Sequence, residues 1–128
     1  MLDGFEPVIL SNMHGPSVSI TKNGITFGKA TIEAFQKPRK DYVLLKVNRD
    51  VRQFVIIQAA RDEVGAMPFT SANPKTQSVR WNNKELLRLI AGLMGWKLKE
   101  CSGYRVPGKY LRDEKAVLFD LNDAIPIT

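Results

Sequence analysis

Displaced by 61 residues, from Ser17 to Ser78, the chain lies over itself in hydrophobic class and element order. Ser17-Val18-Ser19-Ile20 falls on Ser78-Val79-Arg80-Trp81. Ile32 then falls on Leu93, Phe35 on Trp96, Val43 on Tyr104, Leu45 on Val106, Ile56 on Val117 and Ile57 on Leu118. Identities are few; what repeats is the placing of apolar residues, which is what a fold requires. Each half reads strand, helix, two strands. A unit of about 45 residues is too small to bury its own apolar faces, but two of them can share a core. The expectation is an α+β fold: two strand–helix–hairpin units, 17–60 and 78–121, joined by a linker at 61–77. Packed together they form one small β-barrel-like core with two helices, an internal duplication in pattern. At 128 residues this is a single domain.

Local signals fill in the units. Ser17 to Ile20 alternates polar and apolar, as a half-buried strand does. Lys22-Asn23-Gly24 is a turn signal and Ile25-Thr26-Phe27 is extended. Thr26 or Gly28 caps a short helix from Lys29 to Gln36, which Pro38 ends. Tyr42 to Val47 and Arg52 to Ala60 form a hairpin about Asn48-Arg49-Asp50. Residues 61–77 carry Gly65, Pro68, Ser71, Asn73 and Pro74, the chemistry of a loop. The strongest helix is Lys84 to Met94, with Leu86, Leu89, Ile90 and Leu93 at i, i+3, i+4 and i+7. Asn82 or Asn83 caps its start and Gly95 ends it. Tyr104-Arg105-Val106 leads to a turn near Pro107-Gly108, Asp113-Glu114 makes a second turn, and Lys115 to Leu121 is a strand. Pro7 to Leu10 adds an edge strand.

Several classes of function are excluded. The single cysteine, Cys101, rules out an internal disulfide framework. With only His14 beside it, there is no donor set for a structural zinc site. No phosphate-cradling glycine loop is present, and Asp113-Glu114 and Asp120/Asp123 read as a turn and a strand end. No enzyme site and no cofactor are expected. No apolar run approaches the ~20 residues of a membrane span, and Met1 to Glu6 is acidic where a signal peptide needs basic residues. A cytoplasmic protein is expected. The formal net charge of +6 attracts polyanions. That excess sits in the two units: residues 16–60 hold eight basic and three acidic side chains, and residues 78–128 hold nine and six.

The run Ile20-Thr21-Lys22-Asn23-Gly24-Ile25-Thr26-Phe27-Gly28-Lys29 resembles the DNA-binding domain of AbrB-like transition-state regulators. Those domains have a strand, a turn with Gly and basic residues, a short helix and a two-stranded return, and their chains intertwine as swapped hairpins. A tandem form is similar to the MraZ group, which carries two such units in one chain. The sequence departs from the family where Ile25 follows Gly24 in place of Arg, and where Gly28 stands in place of Pro. The resemblance implies a transcription-regulator-like module that binds duplex DNA through a basic face. It carries DNA contact to Lys22 and Lys29 and, by position in the repeat, to Arg80, Lys84 and Arg88. Arg39 and Lys40, in the cluster Lys37-Pro38-Arg39-Lys40, could grip phosphate, or complement the dipole at the end of the preceding helix.

Two other functions fit the same residues. One is a protein-interaction module that sets its basic face against an acidic partner, such as an accessory or inhibitor protein of a bacterial mobile element. The other is a single-stranded nucleic-acid binder that stacks bases on Trp81, Trp96, Tyr42, Tyr104 or Tyr110. A monomer suffices if the units pair within one chain; otherwise a homodimer is expected.

Overall fold

The structure, a computed structural model, describes residue 4, residues 15–33, residue 35, residues 42–69 and residues 78–127. The strands among them are β1 (Ser17–Thr21), β2 (Gly24–Phe27), β3 (Tyr42–Asn48), β4 (Gln53–Gln58), β5 (Met67–Pro68), β6 (Val79–Trp81), β7 (Tyr104–Leu111), β8 (Ala116–Asp120) and β9 (Ile125–Pro126). The helices are α1 (Lys29–Glu33) and α2 (Lys84–Met94), with short 3-10 turns at Leu98–Glu100, Arg112–Glu114 and Leu121–Asp123. All described strand pairs are antiparallel and join one curled sheet in the order β5-β3-β4-β8-β7-β1-β2-β6, with β9 beside β7.

This corrects the expected architecture of two strand–helix–hairpin units. The protein is mostly antiparallel sheet, curled into a half-barrel, and its strands do not sort by half of the chain. β1 pairs with β7 from the far half, and β6 pairs back onto β2. β2 is a strand without a counterpart in the second half, and α1 has five residues where α2 has eleven. The apolar spacing that suggested a repeat is satisfied here by one continuous sheet.

The pivot of this sheet is β7, which runs straight through Pro107-Gly108, where a turn was expected. Its first half, Tyr104 to Pro107, pairs with β1, and its second, Gly108 to Leu111, pairs with β8. Proline has no N–H to lose, and the Gly108 N–H donates to the Pro16 carbonyl at 2.7 Å. Gly108 also lies under the core: a Cβ there would stand 2.7 Å from Phe119 Cε1 and 2.9 Å from Val117 Cγ1.

The two ends of the sheet come back toward each other. Trp81, in edge strand β6, donates its indole N–H to the Pro68 carbonyl of edge strand β5 at 3.0 Å. The segment 61–77 therefore includes strand structure at Met67–Pro68, and Phe69 beside it is buried. Inside, Phe27 packs edge-on against Trp81 and Phe69, with centroids 4.8 and 5.2 Å away, and Phe54 stacks on Phe119 at 4.9 Å. α2 turns Leu86, Leu87 and Ile90 into this core. Its cap is Asn83, whose side chain accepts from the Leu86 N–H, and Gly95 ends it in the left-handed conformation at φ 70°. α1 is shorter than expected and is tied to β1 by Thr31, whose hydroxyl accepts from the Ser17 N–H and donates to the Ser17 carbonyl, both at 3.0 Å. Among the described residues, no helix is long and apolar enough to cross a membrane. The expected strand at Pro7 to Leu10 lies outside the described residues.

Candidate nucleic-acid interface

Side chains alternate across a strand, and directly paired residues of an antiparallel sheet share a face. In β7, β1, β2 and β6 the inward set is Val106, Val18, Ile20, Ile25, Phe27, Val79 and Trp81, all buried. The outward set follows from register. Arg105 faces Ser19, Ser19 faces Thr26, and Thr26 faces Arg80. These four residues form one row across four strands, two hydroxyls between two arginines, and the exposed Ile125 of β9 stands beyond Arg105. Neither these strands nor the first half of β7 contains Asp or Glu. Three strand spacings place the two arginine Cα atoms about 14 Å apart.

Both arginines are exposed, and each is oriented by one hydrogen bond. Arg80 Nη2 donates to the Asn23 carbonyl at 3.2 Å, and Arg105 Nη2 reaches Ser17 Oγ at 3.5 Å. A guanidinium has five N–H donors, so most of each fork is left for a ligand. The β1–β2 turn closes onto β6 because Gly24 has φ +151° and no side chain: a Cβ there would meet the Trp81 carbonyl at 2.8 Å. Lys22, exposed, precedes Asn23 in the same turn, whose carbonyl accepts from Arg80.

The residues singled out from sequence therefore separate into groups. Lys22 belongs to the turn that receives Arg80 through the Asn23 carbonyl. Lys29 stands apart in α1 and pairs with Glu33 at 3.8 Å, in an exposed i, i+4 contact. Lys84 and Arg88 are exposed, one turn apart on α2, on the side of the helix turned away from the core. Arg39 and Lys40 lie outside the described residues. Arg105 was missed. The alternation Tyr104-Arg105-Val106 marked it as outward, but only the pairing of β7 with β1 brings it to the hydroxyls.

Four of the five aromatic candidates have neighbours within the fold; the fifth, Tyr42 in β3, is half-buried. Trp81 is buried, and Trp96 stacks flat on Tyr104 with centroids 3.9 Å apart. Tyr110 packs against the core.

A shallow polar hollow of about 500 Å³ opens beside the β3–β4 turn, lined by Asp50, Arg52, Gln53, Asp120 and Asn122 among others. Burial raises the pKa of the Asp120 carboxyl, but hydrogen bonds from the Asn122 N–H and from the Gln53 and Asn122 amides outweigh it. The carboxyl is held below the usual aspartate value. Its oxygens are thus already occupied as acceptors. Among the described residues no three His, Cys, Asp or Glu side chains gather to hold a metal. Cys101 is exposed, its thiol toward the Lys97 carbonyl at 3.5 Å.

Comparison with known proteins finds no matching family, no similar curated protein and no similar solved structure.

Proposed function

We propose that the protein binds duplex DNA, as a transcription-regulator-like module, through the outer face of β7, β1, β2 and β6. The supporting observation is the carboxylate-free row Arg105–Ser19–Thr26–Arg80, with Lys22 at its end. Arginine forks match phosphate oxygens, and hydroxyls donate to them. A separation of about 14 Å between the arginines is comparable with the ~12 Å width of the major groove, so the two can reach phosphates on opposite sides of one groove. Twisted strands are known to enter DNA grooves. A row of short side chains between two cations is a surface that can approach a backbone closely. The role is cytoplasmic, with no catalytic step and no cofactor, and one chain supplies the whole row without a second copy.

Duplex is favoured over single-stranded nucleic acid by the packing of the aromatics. Stacking platforms must be open on one face; Trp81 is buried, and Trp96 and Tyr104 each give one face to the other.

The test is a titration of a labelled mixed-sequence duplex by anisotropy at two salt concentrations, with the single strand alongside. Tight binding is expected to weaken steeply with salt, and R80A and R105A should each lower the log–log salt slope by about 1. An unchanged slope in both variants, or equal preference for the single strand, would remove this face from consideration.

A further inference from the structure

The other half of the sheet, β3, β4, β8 and the second half of β7, has an outward face of different chemistry. Leu44 faces Ile57, Ile57 faces Ala116, and Ala116 faces Leu111. One row along, Lys46 faces Val55, Val55 faces Leu118, and Leu118 faces Lys109. The five larger aliphatic residues are half-buried and stand outside the core cluster, which lies beneath the sheet. Both described helices pack on the opposite half, α1 on β1 and α2 on β2. Ala116, at the centre of the first row, is buried between its neighbours, and among the described residues a loop comes near at one corner, where a Cβ on Gly65 would stand 3.6 Å from Leu44 Cδ2.

We propose that this face docks an acidic amphipathic helix of a partner protein. Its width is three strand spacings, about 14 Å, which seats a helix of about 10–12 Å diameter laid along the strands. Leucines and isoleucines at i, i+3, i+4 and i+7 of such a helix would cover the apolar rows, the usual way an amphipathic helix is held. Charge selects the acidic kind. Lys46 and Lys109, both exposed, stand at the two ends of one row, so each flank of the docked helix meets a cation. Neither row contains a carboxylate. The same lysines disfavour a second copy of this chain, which would bring like charges together at both rims, each copy with a net charge of +6. A membrane surface is disfavoured because five half-buried aliphatic side chains expose less apolar area than a membrane-inserting face. Nothing in this inference depends on the DNA-binding row.

The test uses the full chain and a labelled peptide with leucine at i, i+3, i+4 and i+7 and glutamate on both flanks. A control peptide carries lysine in place of glutamate, and phosphatidylserine vesicles are run alongside. The acidic peptide should bind saturably in anisotropy below about 100 μM, and the lysine peptide at least about tenfold more weakly. The double variant K46E/K109E changes only exposed side chains, so it should keep its far-UV circular dichroism and reverse that preference. Methyl NMR on the unaltered protein, which no folding defect can confuse, should place the shifts on Leu44, Val55, Ile57 and Leu118. Any of four results would overturn the proposal: no saturable binding of the acidic peptide, equal binding of both peptides, shifts confined to other methyl groups, or binding to vesicles alone. Concentration-dependent dimerisation lost in K46E/K109E would also overturn it, by assigning the face to self-association.

Discussion

Replacing Gly108 with alanine tests the pivot of the sheet. The substitution adds one methyl group where Phe119 Cε1 and Val117 Cγ1 would lie 2.7 and 2.9 Å away, inside normal contact. Gly108 has no left-handed φ, so space alone is at issue. Phe119 cannot easily give way. It is stacked on Phe54 with centroids 4.9 Å apart and tilted against Phe27 at 5.8 Å, and it is fully buried, as is Val117. Overpacking of a well-filled core costs about 1–3 kcal/mol, and a ring held on two sides belongs at the upper end. Against this, alanine restricts the unfolded chain, which returns about 0.7 kcal/mol. The net expectation is a loss of about 2 kcal/mol. Urea unfolding followed by fluorescence of Trp81 and Trp96 measures it. With m near 1.5 kcal/mol per molar, the midpoint should fall by about 1.3 M at constant m. Gly92 gives the opposite sign with the same chemistry. It is exposed on α2 with nothing within 4 Å of its Cβ position, so G92A should stabilise by about 0.5–1 kcal/mol. If G108A lies within about 0.5 kcal/mol of the parent protein, Gly108 is not packed beneath Phe119 and β7 does not hand over from β1 to β8 as described.

Other perturbations follow from single contacts. N83A removes the side-chain acceptor of the Leu86 N–H and should cost about 1 kcal/mol in the same unfolding assay. W81F removes the hydrogen bond to the Pro68 carbonyl and part of a buried ring. Together these should cost about 2–3 kcal/mol, and amide exchange at β5 should speed up more than at β4. Asp120 has its carboxyl below the ordinary value of 3.8, so folding favours its ionised form. That contribution is present above the ordinary value and is lost as pH falls through the lowered one. D120N should therefore flatten the acid limb of the stability profile below pH ~4, as read from urea midpoints; an unchanged limb would show that Asp120 is not its source.

What the sequence made legible was local. The 3.6-residue period, with Asn83 and Gly95 at its ends, placed α2 between Lys84 and Met94. Asn23-Gly24 and Asn48-Arg49-Asp50 marked two hairpins that form. The partners of strands were not legible. Apolar alternation says which face of a strand is buried and nothing about which strand lies beside it, so the same spacing that fitted two units also fits one curled sheet. Pro107-Gly108 has turn chemistry in isolation, yet β7 continues through it because the core presses on the glycine and Pro16 accepts its N–H. β5 is two residues inside a stretch with loop composition, and its pairing with β3 overrides that composition. For the candidate interface, the resemblance pointed to Lys22 and the position in the repeat to Arg80, and Arg105 became visible only once β7 was set beside β1.

The pivot also separates the two surfaces energetically. Arg105 and Lys109 lie on the same strand four residues apart, one facing Ser19 and the other Leu118. Four residues of strand span about 13 Å, beyond the ~8 Å screening length at physiological ionic strength. The charge repulsion between a polyanion on the Arg105 row and an acidic helix on the Lys109 row should then be nearly screened out at that salt, leaving only steric contact between them. At about 0.01 M salt the screening length grows to ~30 Å and the two anionic ligands repel across the strand, so each should weaken the other. Titrating the duplex with and without saturating acidic peptide at both salts separates these cases. Arg105 and Lys109 share the outward face of β7, so mutual exclusion that persists at physiological salt would be steric overlap of the two ligands, whereas exclusion that disappears with added salt is electrostatic.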